Sequence, residues 1–484
     1  MKELIVTKFK KAIRTFKAKD QRPDPISTTI ESDPGAALAE QVLTLSLEAE
    51  EQKCDSRLES LPPEVRRHLL SILDFPQLQA LVHASPTFHH QYLFDRNYVL
   101  SGCLRKTLGS AIDDAYAVYM FAPQHNPEKE VIAELVAWYS EQTPVDKLPR
   151  DAVLSMATLY SYSVKPISEH FARWMLDDLT AQTGKNPQNY PEKVVLTSTE
   201  TMRLARAIYR FHLFCELTRR GAVRTPRENL EARITAFFDM IEPWGIEELF
   251  SFYKFVSSIY DKILDDIRWD LHPDNPKFDD QDRPPTPTGA FEFDNECKSN
   301  IQSSPHSHTF LTLGTGDRGN YLEGLTLRGL PLLHEVMFNI KDHEHLVTII
   351  QEHMWAEYIP VNRDEGLFGG THQETRYRNK PSKRDQMQED RVALPFRGDG
   401  EPHAPPLAWT IIWGGTYSTL VGCYIPEEIQ RWGYVFWDAA TMERTGATEL
   451  LKKQWRKNWD EDEDPRDEFY FLLGSVYAED LGGF

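Results

Sequence analysis

Between Leu61 and Phe88 the chain signals a helix start three times within one short stretch. Pro62 and Pro63 precede Glu64: proline suits a first helical turn, where its missing N–H costs nothing, and an acid favours the positive end of a helix. Val65, Leu69, Ile72 and Leu73 then recur at i, i+4, i+7 and i+8, which is one helix face. Pro76 restarts the chain ahead of a second stripe, Leu78, Leu81 and Val82. Ser85 followed by Pro86 is an N-cap and first turn, ahead of Phe88, Tyr92 and Leu93. Short helices of this kind cannot bury so much apolar surface among themselves. The face therefore needs either the rest of the chain or a partner.

The 484-residue chain as a whole can supply a large core, at 40% hydrophobic and 11% aromatic residues. Its formal charge of −20 argues against a general binder of nucleic acid or anionic membrane, which needs clustered lysine and arginine. Cys54, Cys103, Cys215, Cys297 and Cys423 are dispersed and form no CxxC pair, so neither a disulfide framework nor a cysteine-rich zinc site is expected. A reducing compartment, cytoplasmic or nuclear, is the corresponding expectation. Met1 to Asp20 carries seven Lys/Arg against Glu3 and Asp20, with Ile5, Phe9, Ile13 and Phe16 at helical spacing. That pattern fits a solvated basic leader, a membrane-surface helix or a targeting segment. The uncharged run 407–425 is long enough to span a bilayer. Gly414-Gly415 and its interspersed threonines point instead to two buried strands around a turn, so no membrane span is expected.

The organisation that follows is mainly α: a helical bundle or stack with an N-terminal three-helix module and a small β element near the C-terminus. Residues 1–36 read as the basic leader and a disordered linker. Residues 37–108 form the module with a preceding helix, and 109–271 a helical domain. The stretches Glu200 to Arg220 and Ile246 to Leu271 have strong helical periodicity. Proline and acid-rich 272–309 is a disordered loop, 310–361 a helical segment, 362–406 a second disordered loop, and 407–484 a mixed α/β segment packing on the helical domain.

The module resembles an F-box domain. Leu61-Pro62, Glu64, Leu69 and Leu73 match the first half of that pattern, and Leu78, Leu81, Val82 and Phe88 the second. The continuation from Ala80 to Tyr92 is similar to the F-box-like segment of many filamentous-fungal proteins, and Arg431 to Asp438 is similar to a separate phrase of the same proteins. The sequence departs from the pattern at Ser85-Pro86, where F-box domains continue through a basic and aromatic stretch. F-box domains bind the adaptor Skp1 and bring substrates to a cullin-based ubiquitin ligase. The resemblance thus implies a Skp1-like partner, an unidentified protein substrate, and roles for Leu61, Pro62, Leu69, Leu73 and Leu78 in the Skp1 face or its supporting core.

Motifs with chemistry are weaker. Gly314 to Gly319 spells GxGxxG, but no parallel-sheet pattern surrounds it, and a turn before a helix is the simpler account. Asp265, Asp266 and Asp270 resemble the aspartate-rich motif of all-α magnesium-dependent terpene synthases, without the second metal motif those enzymes need. His334, His343, His345 and His353, with His306 and His308, crowd one region without metal-ligand spacing. Trp432, Tyr434, Phe436 and Trp437 fit core packing better than a ligand surface. No catalytic residue, cofactor site or metal site is therefore expected. The leading expectation is a non-enzymatic F-box-like adaptor. The alternatives are a helical interaction protein that keeps the module only as structure, and an all-α magnesium-dependent enzyme.

Overall fold

In a computed structural model of the chain, residues 57–122, 135, 148–184, 195–222, 234–267, 270, 322–353, 381–459 and 463–471 are described. The leader, the helix expected over 37–52, the loop at 272–309 and the GxGxxG stretch lie outside these residues. The chain divides into two compact units. One comprises Met1–Gly109 with Asp146–Tyr162, and the other Ser110–Val145 with Ser163–Phe484.

The first unit begins with α1 (Pro63–Ser71), α2 (Phe75–Ala84), α3 (Pro86–Phe94) and α4 (Arg96–Leu108). Helix α5 (Ala111–Met120) belongs to the second unit, and α6 (Arg150–Leu159) returns to the first. Proline opens α1, with Pro62 at the N-cap and Glu64 in the first turn. Asp74 caps α2 in a reciprocal box with Gln77, satisfying two otherwise orphaned N–H groups. Helix α4 is the hub: α1, α2, α3 and α6 all pack on it. Leu70, Leu78, Val82, Phe88, Tyr92, Val99, Cys103 and Leu104 form the buried interior. The crossing of α1 and α4 is close because Gly102 has no side chain. A Cβ at that position would stand 2.3 Å from the Ser71 carbonyl oxygen.

The second unit is built on α7 (Lys165–Thr183), α8 (Ser198–Ala222) and α9 (Pro243–Ile267), with α8 packing on α5, α7 and α9. The two strongest helical periodicities in the sequence, Glu200 to Arg220 and Ile246 to Leu271, correspond to α8 and α9. Phe171, Phe211, Phe252 and Phe255 meet at their interface, with ring centroids 4.9–5.9 Å apart. Beyond them lie α10 (Leu330–His334), α11 (His343–His353) and α12 (Lys383–Glu389). Then follow α13 (Leu407–Ile412), α14 (Glu427–Arg431), α15 (Ala439–Thr445) and α16 (Ala447–Asn458).

Two expectations need correction. The small β element near the C-terminus is absent: the described residues contain no strand, only an isolated antiparallel bridge between Ala393 and Thr416. The run expected as two strands instead starts a helix after Pro406. Gly414 and Gly415, with φ of 58° and 71°, then turn the chain in the left-handed region that glycine tolerates. The polar stretch 362–406 is helical in part. Ser382 and Asp385 form a capping box that starts α12, and Asp399 and Pro402 bond buried arginines of α8. No helix among the described residues is long and apolar enough to cross a membrane.

Candidate partner-binding surface

Helix α1 holds the residues that matter most. Its inward anchor is Leu70, fully buried. The stripe predicted from periodicity faces the other way: Val65 is 45% and Ile72 51% exposed, and Leu69 and Leu73 are half-buried. Of the remaining resemblance-derived residues, Leu61 is half-buried, Pro62 is exposed and Leu78 belongs to the interior of the unit. Leu58, in the turn ahead of α1, is 50% exposed.

The Ser85-Pro86 departure from the F-box pattern has a local structural role. The Ser85 hydroxyl accepts from Phe88 N–H at 3.3 Å, capping α3, and donates to the Glu59 carboxylate ahead of α1. Arg67, 4.0 Å from Asp95 and 4.9 Å above the Tyr98 ring, ties α1 to the start of α4. Cys103, a candidate nucleophile by type alone, is sealed in the interior, and burial pushes its thiol up to about 12. A thiol held protonated is neither nucleophile nor metal ligand.

Where α1 ends, the surface dips into a groove of about 810 Å³ between the α3–α4 junction and the start of α6. Leu93, Phe94 and Tyr98 stand around it, 56%, 88% and 49% exposed. The stripe pattern predicted Leu93 but missed Leu70, Phe94 and Tyr98. Adjacent Leu69 and Leu70 fit helical spacing equally well, and Phe94 sits at a helix end where periodicity carries no information.

Among the described residues, the chemical motifs of the second unit do not assemble into a site. Asp265 and Asp266 are exposed at the end of α9. Asp270 instead takes His343, Nε2 to Oδ2 at 2.7 Å. His334 is buried against Phe338, His345 is exposed, and His353 Nδ1 lies 2.8 Å from the Ile349 carbonyl. Among the described residues no group of three or more histidine, cysteine, aspartate or glutamate side chains is placed to hold a metal ion. Trp432, Tyr434, Phe436 and Trp437 are core residues, buried to within 1%. Trp432 Nε1 donates to Gln454, and Trp437 Nε1 to the Trp432 carbonyl.

A ladder of buried charges on α8 was not read from the sequence. Arg203, Arg206 and Arg210 project from one broad face of α8. Arg203 Nη2 lies 2.9 Å from Asp399, Arg206 grips Glu248 through Nε and Nη2, and Arg210 Nε lies 2.8 Å from Asp114. Spacing at i, i+3 and i+7 among Leu204, Ala205, Ala207, Ile208, Tyr209 and Phe211 was the available signal. Each guanidinium already faces a carboxylate, so the ladder clamps α8 to its neighbours and leaves no open anion site.

Compared with protein-family models, curated proteins and solved structures, the chain matches none.

Proposed function

We propose that the chain is an adaptor whose first unit docks a protein partner through the outward face of α1. In the F-box reading that partner is Skp1, and the larger helical unit carries the surface for a substrate of a cullin-based ubiquitin ligase. One observation carries the proposal: Val65 and Ile72 remain about half exposed on a helix whose interior contact is made by Leu70. Apolar side chains aligned on one face of a packed helix mark a binding surface more often than isolated exposed residues do. The half-buried Leu69 and Leu73 offer a floor against which a partner helix packs.

The test is co-purification of the full chain with Skp1. Wild type retains Skp1, while the double variant Leu61→Ala/Leu69→Ala and the single variant Val65→Asp lose it with the first unit still folded. If wild type brings down no Skp1, the ligase reading fails, and the helical interaction protein without that partner takes its place.

A further inference from the structure

The groove at the end of α1 has a chemistry that the stripe does not. Its volume, about 810 Å³, falls in the range of pockets that enclose a drug-sized ligand or a few residues of peptide. Ile72, Leu93, Phe94 and Tyr98 supply its apolar surface. Phe94, at 88% exposure, is the most exposed large apolar side chain among the described residues.

The remainder of the wall is mostly polar, and its charge is mainly positive. Arg96, Arg105 and Arg150 line it against one carboxylate, Asp95, which Arg67 approaches. Neither Arg96 nor Arg150 makes an ion pair among the described residues; Arg96 instead lies 5.9 Å above the Tyr92 ring. Residues 57–109 hold six Lys/Arg and four Asp/Glu, a net of +2 within a chain of −20. Positive charge is thus gathered where the most exposed large apolar side chain of the described residues stands in water.

We propose that this groove binds an acidic peptide segment carrying a bulky apolar side chain. The apolar side chain packs against Phe94 and Tyr98, and the flanking carboxylates meet Arg96 and Arg150. Arginine suits such a site because its planar fork pairs a carboxylate through two N–H groups. Single-stranded nucleic acid also combines charge with stacking, but it needs a cationic track along its backbone, and these cations ring one groove on an acidic protein. The proposal goes beyond the docking role of α1, since it names a second ligand and holds whether or not Skp1 binds the stripe.

The probe is a fluorescein-labelled peptide of aspartate and glutamate with a central leucine–phenylalanine pair, titrated with the full chain and followed by anisotropy. Saturable binding is expected, weakening as salt is raised. Phe94→Ser and Arg150→Glu each weaken it by about tenfold or more, as anchors of a small interface do. Replacing the leucine–phenylalanine pair of the peptide by serines does the same. Both altered side chains are exposed, so thermal melts of the two variants match wild type. Val65→Asp leaves peptide binding unchanged while removing the stripe, which separates failure of this proposal from failure of Skp1 docking. Absence of saturable binding, equal binding by wild type and both variants, equal binding of the serine peptide, or tighter binding of a single-stranded oligonucleotide overturns it.

Discussion

Val65 and Leu70 point about 140° apart around α1, and one is 45% exposed while the other is fully buried. The same helix therefore separates a residue for binding from a residue for folding. Leu70→Ala should lower the stability of the first unit by about 2–5 kcal/mol, the usual cost of a core cavity. Val65→Ser should change it by no more than about 0.5 kcal/mol. Hydrogen exchange of the amides in 63–108 resolves this unit from the rest of the chain. Comparable loss of protection in both variants would mean that Val65 is interior after all.

Gly102 sets how closely α1 and α4 approach. An alanine there would place its Cβ 2.3 Å from the Ser71 carbonyl oxygen and 2.8 Å from the Ser71 Cβ. Backbone cannot swing aside as a long side chain does, so the helices must separate. Alanine normally gains about 1 kcal/mol over glycine inside a helix. Here Gly102→Ala should instead destabilise the unit by about 1–3 kcal/mol, seen as lost protection of the α1 and α4 amides. A more protected variant would contradict the close crossing.

Helix starts were legible in the sequence because their chemistry is local: Pro62-Pro63, Pro76 and Ser85-Pro86 each act within four residues. Which face of α1 turns inward was not, because that choice is made by Gly102, which is thirty-two residues beyond Leu70 in the chain. The C-terminal apolar run misled for a related reason. Short apolar stretches fit strand and helix alike, and the positive φ of Gly414 and Gly415 serves a turn after a helix as well as one between strands. The burial of the α8 arginines was not legible either, since a charge reveals its burial only through partners distant in sequence. Asp399, for example, lies 196 positions from Arg203.

Arg206 and Glu248 are both buried, with Nε 2.8 Å from Oε2 and a second bond from Nη2 to Oε1, while Arg206 Nη1 also reaches the Pro402 carbonyl at 2.7 Å. Removing one partner strands the other charge in the interior. Arg206→Ala should cost about 3–5 kcal/mol. The apolar pair Arg206→Met/Glu248→Leu should recover most of that loss, because it leaves no uncompensated charge. Thermal unfolding of the single and double variants measures the difference. A double variant as unstable as Arg206→Ala would show that shape, not charge, holds this contact.

Glu247, next along α9, has no arginine. Its fully buried carboxylate accepts from Gly422 N–H and, at 3.1 Å, from Gln430 Nε2, and Gln430 in turn accepts from Lys254. Burial outweighs these bonds and pushes the carboxyl from 4.5 up to about 7. A carboxyl raised in the folded state binds its proton more tightly there than in the unfolded chain. Its contribution is therefore complete below the unfolded value of 4.5 and is lost as pH rises through about 7. The shift corresponds to roughly 3 kcal/mol across that window. Glu247→Gln keeps an acceptor for Gly422 N–H and removes the titration. The variant should therefore lose less stability than wild type between about pH 5 and pH 8 and be the more stable protein at the upper end. Melting temperatures of the two proteins, taken in parallel across that range, test the assignment. Curves that fall together would mean that Glu247 ionises alike in the folded and unfolded chains.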